Sequence, residues 1–198
     1  MPPLVVRAGE LAGALGFPLT REEAGPGQPS ACLPGVGRFL AMLAARCRGG
    51  RIGEIGTGAG IGAAWMASAM PDDCVLITTE IDQRLAAGAA ELLATDPRVE
   101  VLAGDAADLL PARAPFDLVF ADGSWHDPAG LASLTGLLGI GGHIVMDDVT
   151  PRSLLPAESP LRRHDAKREF FFGDGRLISA EVVLPDLCNS LLVGTRRA

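Results

Sequence analysis

The run Glu54-Ile-Gly-Thr-Gly-Ala-Gly-Ile-Gly62 constrains this chain more than any other stretch. It follows a short alternating apolar segment, residues 51–55, and leads into residues 63–70, which read as a helix. Strand, glycine turn and helix in that order bring backbone N–H groups to a ligand. Glycine lets the main chain approach closely, and the helix N-terminus favours negative charge. The arrangement is that of a nucleotide-type cofactor site. By itself it admits more than one cofactor, because Gly58-Ala-Gly60-Ile-Gly-Ala63 also fits the dinucleotide pattern G-x-G-x-x-A.

The order of elements around this turn sets the fold class. After Gly50, strand-length apolar segments at 52–55, 75–79, 99–102, 118–121 and 143–146 alternate with helical patterns at 63–70, 83–94 and 128–138. Residues 106–111 have the length of a single turn. This alternation predicts a parallel sheet with helices on both faces. Near the C-terminus a helix is expected at 162–171. Two strands follow, 177–184 and 191–195, joined by Pro185-Asp-Leu-Cys-Asn189 without a helix, hence antiparallel. Ahead of the core, residues 4–15 and 37–47 carry helical patterns. They flank a proline- and glycine-rich stretch, 18–34, expected as a loop or lid. The expected fold is α/β, a doubly wound Rossmann-like sheet forming one domain over 1–198. Within it, residues 1–50 form a helical cap and 51–198 the cofactor-binding core.

Composition narrows the function classes. Of 198 residues, 48% are hydrophobic and 21% charged, enough to bury a core. A net charge of −7 disfavours a phosphate backbone as a general partner. Arg162-Arg163 with Lys167-Arg168 form a local basic cluster, expected to be a solvated helix face. No apolar run has the length of a membrane span, and the first residues lack the pattern of a secretory signal, so a cytoplasmic location is expected. Cys32, Cys47, Cys74 and Cys188 are scattered and read as reduced packing residues. There is no tyrosine, and Lys167 is the only lysine. Tyr-Lys hydride chemistry is thereby excluded, and any mechanism that needs a lysine must use Lys167.

Acidic residues close the expected strands: Glu54, Glu80, Asp105, Asp122 and the pair Asp147-Asp148. Ligands of open α/β sheets bind beyond the carboxyl ends of the strands. Like charges gathered on that edge need a ligand or a metal to offset their repulsion. Glu80, some twenty residues past the glycine turn, suits both hydroxyls of a ribose. Asp105 suits an adenine amino group. Asp122, Asp147 and Asp148 offer three hard oxygen ligands to Mg²⁺ or another divalent cation. An ion there would hold a substrate oxygen and lower its pKa.

With these residues the chain resembles the class I S-adenosylmethionine-dependent methyltransferases, and within them the catechol and caffeoyl-CoA O-methyltransferases. The resemblance runs from about Pro34 to the C-terminus. It is carried by Glu54-Ile-Gly-Thr-Gly, Thr79-Glu80-Ile-Asp, Gly104-Asp105-Ala106, Phe116-Asp-Leu-Val-Phe-Ala-Asp122 and Gly141-Gly-His-Ile-Val-Met-Asp147-Asp148. It implies a seven-stranded sheet whose last strand is antiparallel. It implies S-adenosyl-L-methionine as cofactor, held by Glu54, Gly56, Thr57, Gly58, Glu80, Ile81, Gly104, Asp105, Ala106 and Asp122. It further implies a metal on Asp122, Asp147 and Asp148, a small phenol- or catechol-like acceptor, and a homodimer.

Three positions depart from the family pattern. Asp148 stands where the family usually has Asn. Ile61-Gly62 replace a Tyr-Ser pair whose serine helps hold the cofactor carboxylate. The stretch Asp122-Gly-Ser-Trp125-His126-Asp127 lacks the family's catalytic lysine. His126 is then the nearest candidate base, beside Asp122, because imidazole accepts a proton near neutral pH. Trp125 is a candidate wall for an acceptor pocket. His143 and His164 read as structural or surface residues. The expected activity is methyl transfer to a hydroxyl of a small molecule. The alternatives are a non-catalytic binding protein on the same fold and a dinucleotide-dependent oxidoreductase.

Overall fold

The computed structural model describes residues 1–25, 28, 30–122, 128–184 and 189–198. The strands are β1 (Arg51–Ile55), β2 (Val75–Glu80), β3 (Val99–Ala103), β4 (Phe116–Ala121), β5 (Leu138–Val149), β6 (Leu177–Leu184) and β7 (Asn189–Arg196). They form one sheet in the order β3-β2-β1-β4-β5-β7-β6. Strands β1 to β5 pair in parallel, and β7 runs antiparallel to both β5 and β6. The order reverses between β1 and β4, which are hydrogen-bonded neighbours. That switch point opens a crevice at the carboxyl ends of the strands.

Side chains alternate across each strand, so the two faces have separate cores. Leu118 and Phe120 belong to one, Val119 and Ala121 to the other. On the first face lie α1 (Pro3–Leu15), α3 (Pro34–Ala44), α4 (Ile61–Ala67) and α5 (Gln83–Leu93). Val5, Ala8 and Ala12 of α1 and Val36, Leu40 and Ala44 of α3 share that core with Ile52, Met66 and Leu118. The N-terminal helices are thus packed into the sheet's own hydrophobic layer. On the second face lie α6 (Ala106–Leu109), α7 (Pro128–Leu137) and α8 (Ala166–Gly173).

Three elements differ from expectation. The stretch 18–34 contains a short helix, α2 (Arg21–Ala24). Strand β5 runs well beyond 143–146, because α7 passes into it without a loop. The helix expected over 162–171 is split into a 3-10 turn, Pro160–Arg162, and α8. Asp165 sets the start of α8 by accepting the Arg168 N–H at 3.1 Å, an N-cap that ends any continuous helix before it. Of the turn expected over 185–189, residues 185–188 lie outside the described residues. Among the described residues no helix is long and apolar enough to cross a membrane.

Candidate functional site

The glycine turn is tied to the end of β2. Gly56 and Thr57 donate their N–H groups to the Thr79 carbonyl at 2.9 and 3.1 Å. Gly58 donates to Glu80 Oε2 at 2.7 Å. Gly56 has φ 89°, and a Cβ there would come within 2.9 Å of the Asp122 carbonyl oxygen. Only glycine lets β1 turn that closely past the end of β4. A cleft of about 980 Å³ opens over this turn. Its lining runs from Asp105 and Ile81 past Glu54 and Gly58 to Asp122, Asp148 and Lys167.

Glu54 lies fully buried in the floor of the cleft. Its Oε2 accepts the Thr78 hydroxyl at 2.5 Å, and Thr78 is paired in turn with the Thr57 hydroxyl at 2.5 Å. Its Oε1 is buried without a hydrogen-bond partner. Burial pushes the Glu54 carboxyl up to about 8. The Thr78 hydrogen bond opposes this, and the nearby Glu80 adds to it. A Cβ on Gly62 would overlap Glu54 Oε1. The glycine that replaces the expected serine is therefore the space this carboxylate fills.

At the other end, Glu80 accepts from Gly58 through Oε2 and from the Asp82 N–H through Oε1, the latter at 2.9 Å. Each carboxylate oxygen has a second lone pair for a hydroxyl. Beside it Ile81 is 71% exposed and lines the cleft, an apolar side chain held at its rim. Asp105 caps α6, accepting the Ala107 N–H at 2.8 Å, with Gly104 and the buried Ala106 beside it in the lining. Glu54, Gly56, Thr57, Gly58, Glu80, Ile81, Gly104, Asp105, Ala106 and Asp122 are thus brought to one cleft.

The remaining acids are arranged differently from the sequence expectation. The pairing of β5 with β7 slips between Met146 and Val149, where three steps on β5 match two on β7. This bulge turns the two aspartates apart. Asp148 is exposed at the cleft with φ 60°, while Asp147 points into the protein. Asp147 Oδ1 accepts the Asn189 amide at 2.6 Å and the Asp148 N–H at 2.7 Å. Asp147 is absent from the cleft lining. Among the described residues no three His, Cys, Asp or Glu side chains converge as a metal-binding group. Asp122, Asp147 and Asp148 therefore do not fit as an open ligand set for Mg²⁺, because Asp147 is turned off the cleft lining with one carboxylate oxygen held by protein donors.

A cation of the protein's own stands there. Lys167 donates to the carbonyl oxygens of Asp147, at 2.9 Å, and Asp148, at 3.5 Å, and lines the cleft. Burial lowers the Lys167 ammonium from its ordinary value, against the pull of Asp148, Asp122, Asp147 and Asp165. Asp122 is pushed well above its ordinary value, by burial first and then by Asp147, Asp148 and Glu54. Cys32 is buried in the same wall, its thiol raised by burial and by these acids.

The solvated face expected for Lys167-Arg168 is corrected here. Arg168 is 6% exposed, pairs with Asp165 and Glu181, and donates to the Thr150 carbonyl at 2.8 Å. The uniqueness of Lys167 was the one sequence signal for its role. Nothing in the sequence pointed to Asn189 or Cys32. His126 and Trp125 lie outside the described residues. His143 is half-buried and bonded to the Thr195 hydroxyl at 2.8 Å, a structural residue as expected.

Residues 54–149 match a family model described as a methyltransferase domain. A probable O-methyltransferase of Mycobacterium tuberculosis is 39% identical over 143 residues, covering 69% of this chain and 61% of that protein. The chain thus spans less than two thirds of the length of such relatives. A catechol O-methyltransferase of Niastella koreensis is 38% identical over 97 residues, 45% of this chain and 44% of that protein. Among solved structures, the O-methyltransferase TomG of Streptomyces achromogenes, in complex with S-adenosylmethionine, superposes with a TM-score of 0.75. Its identity is 25%, over 100% of this chain and 91% of that one. The seven-stranded fold agrees with this likeness. In its fold, its motifs and these matches the chain is similar to the class I S-adenosylmethionine-dependent methyltransferases, and within them it resembles the catechol O-methyltransferase type.

Proposed function

We propose that this protein transfers a methyl group from S-adenosylmethionine to a hydroxyl of a small phenol- or catechol-like molecule. The observation that carries the reading is the buried, unpartnered Glu54 Oε1 in the floor of a cleft that continues to an acidic end holding one lysine. An orphaned buried carboxylate oxygen suits an ammonium group, such as that of the cofactor's methionine part. Glu80 suits the ribose, with both oxygens already aimed by Gly58 and Asp82. Ile81, Asp105 and Ala106 suit the adenine, an apolar wall beside a hydrogen-bond acceptor.

When bound, S-adenosylmethionine would supply an electrophilic methyl, whose C–S electron pair would stay on sulfur as the acceptor oxygen takes the carbon. The chain's own residues position the partners and exclude water. Asp122, just past the end of β4, touches the glycine turn at Gly56 and shares the cleft lining with Asp148. Its raised pKa suits a carboxylate that accepts the acceptor's hydroxyl proton. His126 is a second candidate for that proton. The step is drawn without a divalent ion, because Asp147 is turned inward with one of its two oxygens engaged and Lys167 supplies positive charge.

Two measurements test this reading. Titration calorimetry with S-adenosylhomocysteine is expected to give saturable binding, and its absence at millimolar ligand sinks the reading. Incubation with S-adenosylmethionine and a panel of catechols is expected to yield S-adenosylhomocysteine in step with a methylated product. Binding without turnover on any phenol would favour a non-catalytic role.

A further inference from the structure

The acidic end of the cleft carries a built-in positive charge. Helix α8 is anchored at its first turn by Arg168, which pairs with Asp165 and Glu181 and donates to the Thr150 carbonyl. That anchor fixes the neighbouring Lys167 beside Asp147 and Asp148, whose carbonyl oxygens take two of its three donors. Asp122 and Asp148 share the cleft lining with it. A divalent ion would have to settle beside a fixed ammonium, and like charges repel strongly at that range. It would also have to share Asp147 with the Asn189 amide, which already holds one of its two carboxylate oxygens.

We propose that the Lys167 ammonium takes the place of the divalent ion at this site. It offsets the charge of Asp122, Asp147 and Asp148 and contacts the acceptor's reacting oxygen as that oxygen loses its proton. The contact with the acceptor rests on the O-methylation reading; the exclusion of the ion does not. With two donors held by the carbonyls, the ammonium has its third left to aim at a single acceptor oxygen. The specificity that follows is for acceptors presenting one oxygen to the cation. A divalent ion, by contrast, can chelate two adjacent hydroxyls.

The test uses the full chain, wild type and the variants Lys167→Met and Lys167→Arg, each shown to be folded by its thermal transition. Mn²⁺ binding is followed by the paramagnetic resonance of the free ion. Wild type and K167R are expected to show no saturable binding in the micromolar range. K167M is expected to bind Mn²⁺ more tightly by about tenfold or more, because three carboxylates lose their cation. With S-adenosylmethionine and catechol, wild-type turnover is expected to survive exhaustive chelation. K167M is expected to lose about 100-fold in kcat while its affinity for S-adenosylhomocysteine is unchanged. Stoichiometric Mn²⁺ binding by the wild type, or turnover abolished by chelation, overturns the proposal. Wild-type turnover in K167M overturns the acceptor contact. Should K167M not fold, Lys167→Gln removes the charge, keeps a donor for the two carbonyls, and carries the same readouts. The Mn²⁺ measurement needs no substrate, so failure of the O-methylation reading leaves the ion-exclusion result standing by itself.

Discussion

The Glu54 carboxylate rests against Gly62 in the space a side chain would take: a Cβ on residue 62 would fall on Glu54 Oε1. The residue that looked like a loss in the cofactor site is what lets the buried acid lean against α4. In an ordinary helix interior, Gly→Ala stabilises by about 1 kcal/mol. Here we expect Gly62→Ala to destabilise by about 1–3 kcal/mol, as overpacking does. Urea unfolding measures it, and an unchanged or raised midpoint would refute the contact.

Glu54 should also leave a mark on the pH dependence of stability. Burial raises its folded pKa to about 8, from the 4.5 of a solvated glutamate. Between those values the folded state holds a proton that the unfolded state has released. The contribution is therefore fully present below pH 4.5 and is lost as pH rises toward 8, by at most about 1.4 kcal/mol per pH unit. In Glu54→Gln this slope should vanish. Comparing urea midpoints of the two proteins at about pH 5.5 and about pH 7.5 isolates it.

Glu80 holds the glycine turn through Gly58 and the start of α5 through Asp82. Glu80→Gln keeps the shape but has one acceptor oxygen where two are used. On the proposed reading it weakens S-adenosylhomocysteine binding by about tenfold or more, the value of one hydrogen bond to a charged group. Calorimetry reads this directly, and unchanged affinity would remove Glu80 from the cofactor site.

Arg168 is the anchor of α8, with carboxylates of Asp165 and Glu181 on it. Arg168→Met leaves those acids without their cation and should cost about 3–5 kcal/mol, as breaking a buried pair does. The melting transition should fall accordingly. A loss below about 1 kcal/mol would show that the pair behaves as an exposed one.

Much of the cofactor half was legible in the sequence. Glu54, Gly58, Glu80 and Asp105 sit at strand ends, and strand ends can be read from local apolar patterns and turns. Once the strands are parallel, those ends must share one edge. The acceptor half was legible only as a list of acids. Asp147 and Asp148 are adjacent in sequence, but a one-residue slip between β5 and β7 sends one inward to Asn189 and the other to the cleft. Such a slip depends on pairing between strands some forty residues apart and has no local signature.

What the sequence by itself determined is therefore the doubly wound sheet, the glycine turn and the edge on which the ligand lies. These follow from periodicity and from glycine at Gly56 and Gly58, which both adopt positive φ. What only the tertiary structure decided is the charge pattern within that edge. Lys167 and Arg168 read as a solvated basic cluster; instead Arg168 is buried against Asp165 and Glu181, and Lys167 is half-buried on the main-chain carbonyls at the end of β5. The physical reason is that a helix's rotation about its axis, and so which side chains it buries, is fixed by packing against distant elements. The neighbours of a charge in sequence do not reveal the charges it will face.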